Sequence, residues 1–535
     1  MAAKRKYPVG IQSFEKIRKD GYLYVDKTPL IYKIITEGCP YFLSRPRRFG
    51  KSLLISTLAA IFEGRRELFE AFTSKDGVEQ PQLFIATTDW DWQPRPVFRF
   101  DFSAGDMVSI EQLDRHIDHV LSEYENLYGI TPKYRDSNIR MIDLLRSAHK
   151  QTGHRAVVLV DEYDNFILHS LGDEEKVAQA RHRFQNLFGP LKSEDDHLKL
   201  VFITGISRFS QMGIFSKLNN LQNISMIPAF DTLCGISEEE LTTQMRPDIE
   251  MLAEANGQSY ESQLEELKRM YDGYHFSRKM TDIYNPFSLV NVFWSQELDS
   301  YWFASGTSRA VIELLGNMPP VSIDSINNVH CEASAFDAAF DNYASPLPLL
   351  YQSGYLTIKD YDRDINDYTL GFPNLEVSKG FAECLYYHIT HRQFAADADK
   401  SSLLRAYKIF QRDNDLSQFM EAIKAFFSGL PYKWENDNRN EHYYHALLYT
   451  LMVSFGADVR AEEMTSKGQS DIVLLMPKGI YVMEVKYDDT VEAALAQIDD
   501  RGYAKKYMLD GRPVTKVGIA FSSSERNITD WGDSE

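Results

Sequence analysis

The feature that most constrains the fold of this chain is the segment from Arg45 to Ser52, which reads Arg-Pro-Arg-Arg-Phe-Gly-Lys-Ser. It joins a strand-like stretch, residues 40–44, to an apolar, helix-like stretch, residues 53–62. A Gly-Lys-Ser triplet at such a turn is typical of a P-loop, in which the backbone surrounds a phosphate, the lysine reaches the β and γ oxygens and the hydroxyl binds Mg²⁺. Arg45 occupies the position of the first glycine of the usual pattern. On this segment alone, a basic turn that binds no ligand is the alternative.

A second element of a nucleotide site follows downstream. Residues 156–160 form a continuous apolar run, which is typical of a buried parallel strand, and they lead into Asp161 and Glu162. Asp161 could hold Mg²⁺ through water, and Glu162 could orient the water that attacks the γ-phosphate. The alternative is a core strand that runs into an acidic turn.

A third apolar run, residues 200–203, ends in Thr204, and Ser207 and Arg208 follow it. Thr204 or Ser207 lies where a γ-phosphate sensor is expected. Arg208 could complete the site in its own chain or in a neighbouring subunit of a homo-oligomer. The three elements in this order predict binding of ATP with Mg²⁺.

Composition limits the class of protein. A chain of 535 residues, 44% hydrophobic, predicts three or four folded units. It contains no run of about 18 apolar residues and no apolar stretch near its start, which predicts a cytoplasmic protein without a membrane span. The net charge of −19 argues against general coating of nucleic acid, yet the first 52 residues carry twelve Lys or Arg against four Asp or Glu. That basic segment is either a solvated face or a surface for polyphosphate or nucleic acid.

The C-terminal hundred residues predict a different chemistry, carried by a β-hairpin of residues 468–476 and 480–486 about a Pro-Lys-Gly turn. Folding this hairpin brings Asp471 next to Glu484, and period-two alternation places Lys486 on the same face as Glu484. Two such carboxylates can hold Mg²⁺ or Mn²⁺, and the metal with the lysine can activate a water for attack on a phosphodiester. A surface ladder of salt bridges is the alternative.

The flanks of the hairpin favour the nuclease interpretation. An amphipathic helix that starts at Glu441 precedes it and could add a carboxylate, and Gln497 lies on a helix that follows it. An apolar strand, residues 514–521, comes next. Helix, three strands, helix and strand is the order of a restriction-endonuclease-like core.

These motifs together resemble a family of bacterial and archaeal proteins in which an AAA-ATPase-like N-terminal domain is joined to a PD-(D/E)XK nuclease domain. The resemblance covers most of the chain, and in this family arginines replace the first P-loop glycine. Further matching motifs are Tyr271-Asp272-Gly273-Tyr274 and Tyr284-Asn285-Pro286. The resemblance implies two sets of site residues. The nucleotide set is Arg45, Arg47, Arg48, Phe49, Gly50, Lys51, Ser52, Asp161, Glu162, Thr204 and Arg208; the nuclease set is Glu441, Asp471, Glu484, Lys486 and Gln497.

The expected fold class is α/β, and we predict four regions. These are a P-loop AAA-like ATPase core (1–235), a helical lid (236–285), a helical, winged-helix-like middle region (286–430) and a restriction-endonuclease-like α/β domain (431–535). The wing of the middle region, residues 357–372, is acidic, which favours a structural or partner-binding role over DNA reading.

Two functions follow as hypotheses. The first is an ATP-binding and ATP-hydrolysing protein whose metal-dependent nuclease cleaves nucleic acid, DNA in preference to RNA, under nucleotide control, in defence or mobile-element biology. The second is a nucleotide-dependent switch or scaffold whose nuclease-like domain binds nucleic acid or a protein without cleavage. From residue 431 onward the chain has twelve Lys or Arg against eighteen Asp or Glu, which would repel nucleic acid unless metal and the basic N-terminal segment compensate.

Overall fold

The computed structural model describes residues 5–38, 40–103, 105, 107–207, 220–306, 326–337, 346–390, 398–428, 441–465 and 468–534. The chain forms two compact units. The first comprises Met1–Val311 and His330–Asn374, and the second comprises Ile312–Val329 and Leu375–Glu535. Within the described part of the chain, no helix combines the length and the apolar character that crossing a membrane requires.

The first unit contains a five-stranded parallel sheet. The strands that precede Leu375 are β1 (Pro40–Ser44), β2 (Phe72–Thr73), β3 (Glu79–Gln80), β4 (Val97–Asp101), β5 (Ala156–Asp161), β6 (Leu198–Gly205), β7 (Gln222–Asn223), β8 (Ile236–Ser237), β9 (Ile283–Tyr284), β10 (Val329–Cys331), β11 (Thr357–Asp362) and β12 (Asp367–Gly371). The main sheet has the order β4-β5-β6-β1-β7, and all its pairs are parallel. Every residue of β5 is buried, as its unbroken apolar sequence predicts.

This strand order places the three nucleotide motifs at one edge of the sheet. β6 lies between β5 and β1, with Leu43 opposite Thr204 and Val160 opposite Ile203. The carboxyl ends of parallel strands meet at the same edge, where ligands of open α/β sheets bind. The predicted P-loop, the acidic turn after β5 and Thr204 therefore lie side by side.

Helices cover this sheet and continue beyond it. They are Phe14–Lys19, Thr28–Glu37, Lys51–Phe62, Ile110–Leu127, Ser137–Thr152, Asn165–His169, Glu174–Phe188, Pro190–Ser193, Glu238–Gln244, Arg246–Asn256, Tyr260–Tyr271, Pro286–Ser295, Tyr301–Gly306, Ala333–Phe336 and Leu347–Ser353.

The helices predicted as a lid are Glu238–Gln244, Arg246–Asn256 and Tyr260–Tyr271, and they share one buried core with Pro286–Ser295. Ser237 begins the first of them with a capping box, in which its hydroxyl accepts from the amide of Glu240 and the Glu240 side chain accepts in return.

The second unit contains a five-stranded mixed sheet. Its helices are Leu375–Thr390, Ala398–Asp413, Ser417–Ser428, Glu441–Ser454 and Val491–Arg501, and its strands are β13 (Asp458–Thr465), β14 (Gly468–Met476), β15 (Gly479–Tyr487), β16 (Val514–Ser522) and β17 (Asn527–Ser534). The sheet has the sequential order β13 to β17, and only β15 and β16 run parallel. The predicted order of elements, helix, three strands, helix and strand, is confirmed, with β17 added.

The middle region is divided between the units. The hairpin of β11 and β12 belongs to the first unit, whereas the helix Leu375–Thr390 belongs to the second and packs on Glu441–Ser454. The proposed domain boundaries near residues 285 and 430 stay predictions; the compact units divide after Asn374.

Candidate functional site

The candidate phosphate loop opens into the N-terminus of the helix Lys51–Phe62. Gly50 is the N-cap residue and has φ +92°, a left-handed conformation that favours glycine. Among the described residues no side chain caps this helix start, so its first amides point into the loop, an arrangement suited to an anion. The ammonium of Lys51 is buried and donates to the carbonyls of Arg45 and Pro46, both at 2.9 Å. The Lys51 ammonium therefore bonds to the backbone of the loop itself, and Ser52 follows on the helix.

Asp161 and Thr204 form the neighbouring part of the site. The Thr204 hydroxyl donates to Asp161 Oδ1 at 2.6 Å, and both side chains are buried. Thr204 therefore positions the carboxylate in this structure, a role that differs from the predicted phosphate sensor.

Glu162 completes this cluster of charges. It has φ +48°, which turns its side chain out of the line of β5. Burial raises the pKa of Glu162, the Lys51 ammonium opposes that shift, and the charge of Asp161 adds to it. Lys51 and Asp161 are thus close enough to Glu162 for their charges to act on it.

Asp164 is a functional candidate that sequence reasoning missed. Its fully buried Oδ2 accepts from the amides of Ile206 and Ser207 and from the Ser207 hydroxyl, at 2.9, 2.5 and 2.5 Å. Burial raises the pKa of Asp164, and the bonds from Ser207 oppose that shift. The second aspartate of the Asp-Glu-Tyr-Asp run was the available signal. Asp164 fixes the backbone after β6, immediately before Arg208, which lies outside the described residues.

The structure corrects the expectation for Arg45, whose side chain was expected to bind nucleotide. Its buried guanidinium donates to the carbonyls of Ser44 and Ser225, at 2.9 and 2.8 Å, and of Phe230 at 3.2 Å. It also lies 4.1 Å from the ring centre of Phe276. Since the guanidinium already bonds to these carbonyls and stacks on the ring, the Arg45 side chain stabilises the fold and is not available to bind phosphate.

Arg47 and Arg48 differ in their surroundings. Arg47 is half-buried, and its charge lowers the pKa of Glu162, which places it on the side of the nucleotide cluster. Arg48 is exposed, has φ +66° and stacks its guanidinium 5.0 Å from the ring centre of Phe287. Of the three arginines, Arg47 is therefore best placed to meet a phosphate.

Phe49, also predicted to contact nucleotide, has its side chain in the core and is one of the residues that line an apolar cavity beside the loop. The ring is buried, with its centre 4.8 Å from that of Tyr274 and 5.4 Å from that of Phe276, both edge to face. Its carbonyl accepts from the amide of Gly235 at 3.2 Å. Phe49 anchors the loop in the hydrophobic core.

An apolar cavity of about 110 Å³ adjoins the loop. Gly50 and Leu53 form one side, and the other sides come from Pro8, Leu23 and Val25 of the N-terminal segment, Met245 of the lid and Val290 of the helix Pro286–Ser295. Its lining is largely apolar, and Gly50 belongs both to this lining and to the candidate phosphate loop.

The second site lies on the hairpin of β14 and β15. Ile472 pairs with Met483, so Asp471 and Glu484 occupy neighbouring positions on the two strands. Asp471 Oδ2 accepts from the amide of Val485 at 2.7 Å. The predicted approach of the two carboxylates is thus present in the geometry.

Glu484 is the centre of this cluster. It is 1% exposed, and its Oε1 accepts from Lys486 Nζ at 3.1 Å and from the side-chain amide of Gln497. Within the described residues its Oε2 has no hydrogen-bond partner. Burial, followed by the charge of Asp471, raises the pKa of Glu484 to about 7, while Lys486 opposes the shift.

His445 is a second candidate that sequence reasoning missed. Its Nε2 lies 2.7 Å from the main-chain oxygen of Asp471, which holds the helix Glu441–Ser454 against β14. The signal was its place one turn after Glu441. Glu441 begins this helix, but its side chain lies outside the described residues.

These groups fit a divalent cation. Asp471 and Glu484 supply the oxygen ligands that Mg²⁺ and Mn²⁺ prefer, and a buried carboxylate oxygen without a donor is the position a cation would neutralise. In the first unit, Ser52 and Asp161 offer the hydroxyl and carboxylate of a nucleotide-bound Mg²⁺.

Comparison with known proteins gives two family matches and one full-length relative. Residues 8–215 match a family described as predicted AAA-ATPase, and residues 439–531 match the PD-(D/E)XK nuclease superfamily. An uncharacterized protein from the vnfD 5′ region of Azotobacter chroococcum mcd 1 is 34% identical over 537 residues, which covers 98% of each chain. The two matched ranges contain the two clusters described above.

Proposed function

Because this chain belongs to the family in which a predicted AAA-ATPase is joined to a PD-(D/E)XK nuclease domain, we propose that it binds and hydrolyses ATP and cleaves nucleic acid at a metal-dependent site under nucleotide control. The observation that carries the proposal is the buried Glu484, which meets Asp471, Lys486 and Gln497 while one of its oxygens lacks a donor among the described residues.

At the nucleotide site, the loop amides and Lys51 bind the phosphates. Lys51 exchanges its two bonds to loop carbonyls for bonds to the β and γ oxygens, because both carbonyls belong to the loop that must open. Ser52 and Asp161 would hold Mg²⁺, and Glu162 would orient the attacking water. The apolar cavity beside Gly50 receives the adenine base.

At the nuclease site, Asp471 and Glu484 would hold Mg²⁺ or Mn²⁺. Such a metal would supply Lewis acidity toward the phosphate and would lower the pKa of a water. Lys486, 3.1 Å from Glu484 Oε1, sits where it can hold the phosphate or the attacking water, and Gln497 fixes the orientation of Glu484. Glu484 must be ionised to bind the metal, so the affinity of the metal-free protein for the cation is expected to rise with pH through about 7.

The partner of this site is nucleic acid, and we favour DNA over RNA and a role in defence or mobile-element biology. A nucleotide-dependent scaffold is the second candidate. It is favoured by the acidic balance from residue 431 onward, twelve Lys or Arg against eighteen Asp or Glu, which opposes binding of a polyanion.

Cleavage of labelled single- and double-stranded DNA and RNA tests the proposal, with Mg²⁺ or Mn²⁺ and with or without ATP. We expect cutting by the wild type that is lost in Glu484→Gln and loses its ATP dependence in Lys51→Ala. Glu525→Gln, an exposed glutamate of the same unit, is the matched control and should cut normally. Binding of nucleic acid without cutting, equal in wild type and Glu484→Gln, would establish the scaffold instead.

A further inference from the structure

The backbone of the phosphate loop is held by residues that follow it by about two hundred positions or more. The indole of Trp302 donates to the carbonyl of Arg47 at 3.0 Å. A Cβ added to Gly354 would lie 2.6 Å from Pro46 Cβ, so this glycine lets the chain pack directly on the loop. The Phe49 ring packs edge to face against Tyr274 and Phe276. A movement of the loop must therefore displace these downstream segments.

Tyr274 belongs to the motif Tyr271-Asp272-Gly273-Tyr274, which the ATPase and nuclease chemistry leaves without a role. Gly273 has φ +83°, and a Cβ there would lie 2.3 Å from the carbonyl oxygen of Pro373. The side-chain amide of Asn374 donates to the carbonyl of Asp272 at 2.8 Å. The turn thus touches the nucleotide loop at one end and residues 373–374 at the other.

Residues 373–374 have a special place in the chain. Asn374 is the last residue of the first unit, and Leu375 begins the main part of the second, which contains the nuclease cluster. The contacts from Phe49 through Tyr274 and Gly273 to Asn374 form one continuous path inside the first unit. The path ends where the chain leaves that unit.

This path is tightly packed. Phe49 and Tyr274 are each at most 1% exposed. Packed interiors of this kind transmit a displacement because they have little free volume to absorb it. Gly273 adds to this rigidity, since its close approach to Pro373 leaves no space between the turn and the chain exit.

We infer that the turn Asp272–Tyr274 couples the phosphate loop to the chain that enters the nuclease unit. Binding of the triphosphate draws Lys51 from the loop carbonyls and shifts Phe49, Tyr274 follows, and Pro373 and Asn374 move with the turn. This inference rests on the proposed function and assigns the route of its nucleotide control. Tyr274, Gly273 and Asn374 act as positioning residues and contact neither ATP nor nucleic acid.

Two variants of the full chain test the coupling. Asn374→Ala removes the bond to Asp272, and Gly273→Ala forces the turn away from Pro373. Asn256→Ala, which removes an amide bond to Gln263 within the lid, is the matched control. Three quantities are measured: ATP affinity, cleavage rate with and without ATP, and hydrogen exchange of peptides after residue 375 with and without ATP.

In the wild type and the control, we expect ATP to change the cleavage rate or the exchange of these peptides by about fivefold or more. In Gly273→Ala and Asn374→Ala, the ratio of the values measured with and without ATP should fall to about one. Their ATP affinity and their cleavage rate without ATP should stay within about twofold of the wild type. We call the route through Gly273 and Asn374 the relay. A merely structural role would alter affinity or the ATP-free rate instead.

The failures are distinguishable. A wild type that does not bind ATP would refute the proposed function together with the relay. ATP binding that changes neither cleavage nor exchange in the wild type would refute nucleotide control and the relay, and leave the two chemistries standing. A full ATP response in Gly273→Ala and Asn374→Ala would refute the relay alone.

Discussion

Replacement of Glu484 by glutamine is expected to stabilise the metal-free protein while abolishing cleavage. Burial and the neighbouring Asp471 raise the pKa of Glu484 from its ordinary value of 4.5 to about 7. A carboxyl whose pKa is raised on folding contributes stability that is fully present below pH 4.5 and is lost as pH rises through about 7. At pH 8 the ionised carboxylate therefore costs about 3 kcal/mol relative to an equally well bonded neutral group.

Glutamine keeps the shape and the oxygen that accepts from Lys486 and Gln497, and removes the charge. Thermal unfolding in a chelator should show a Glu484→Gln protein that melts roughly 6–12 °C higher than the wild type at pH 8, since 1 kcal/mol corresponds to about 2–4 °C for a unit of this size. At pH 5 the difference should be small. Added Mg²⁺ should raise the melting temperature of the wild type at pH 8 and leave the variant unchanged.

Glu525→Gln, which removes an exposed carboxylate, controls for the change in net charge. A Glu484→Gln protein that melts lower than the wild type at pH 8 without metal would refute this reasoning, because it would mean that the carboxylate is already compensated in the folded state.

Further outcomes follow from other buried groups. Lys51→Ala should lose the rise in melting temperature that ATP and Mg²⁺ give the wild type. Arg45→Gly restores the glycine of the usual P-loop pattern. It should nevertheless destabilise the protein by about 3–5 kcal/mol in thermal or denaturant unfolding, because it removes the donor of the buried carbonyls that the Arg45 guanidinium bonds. Trp302→Phe should cost about 1 kcal/mol and weaken ATP binding in calorimetry, since it frees the Arg47 carbonyl. Asp272→Asn should raise the melting temperature more at pH 8.5 than at pH 5, because burial raises the pKa of Asp272 to about 7.

The parts of the sites that local sequence determines could be predicted. A two-residue turn at Pro477 and Lys478 fixes the register of β14 and β15, and register alone places Asp471 beside Glu484. In the same way, an unbroken apolar strand of a parallel sheet must end at the edge where the phosphate loop lies, which places Asp161 near Lys51.

The parts that depend on distant partners could not be predicted. The fate of the Arg45 guanidinium is decided by carbonyls at Ser225 and Phe230, about 180 positions later in the chain. Thr204 has the position along the chain that is expected of a phosphate sensor, but its hydroxyl donates a hydrogen bond to Asp161. A sequence pattern predicts which residue type lies at which edge of the sheet. It does not predict the hydrogen bonds of that side chain, because these depend on groups that the fold brings from distant parts of the chain.

The departure of the loop from the glycine-rich pattern has a physical explanation in these distant contacts. A glycine-rich loop can bend around a phosphate on its own, because glycine adopts left-handed conformations without strain. Here one glycine, Gly50, supplies that freedom, and the rest of the curve is imposed by Arg45 and Phe49, which anchor the loop at both sides in the core. A loop shaped in this way is competent only while the segments around Phe230 and Tyr274 are folded against it. Nucleotide affinity should therefore fall with changes that remove the contacts of Arg45 or Phe49 with those segments, whereas a loop shaped by its own glycines would keep it.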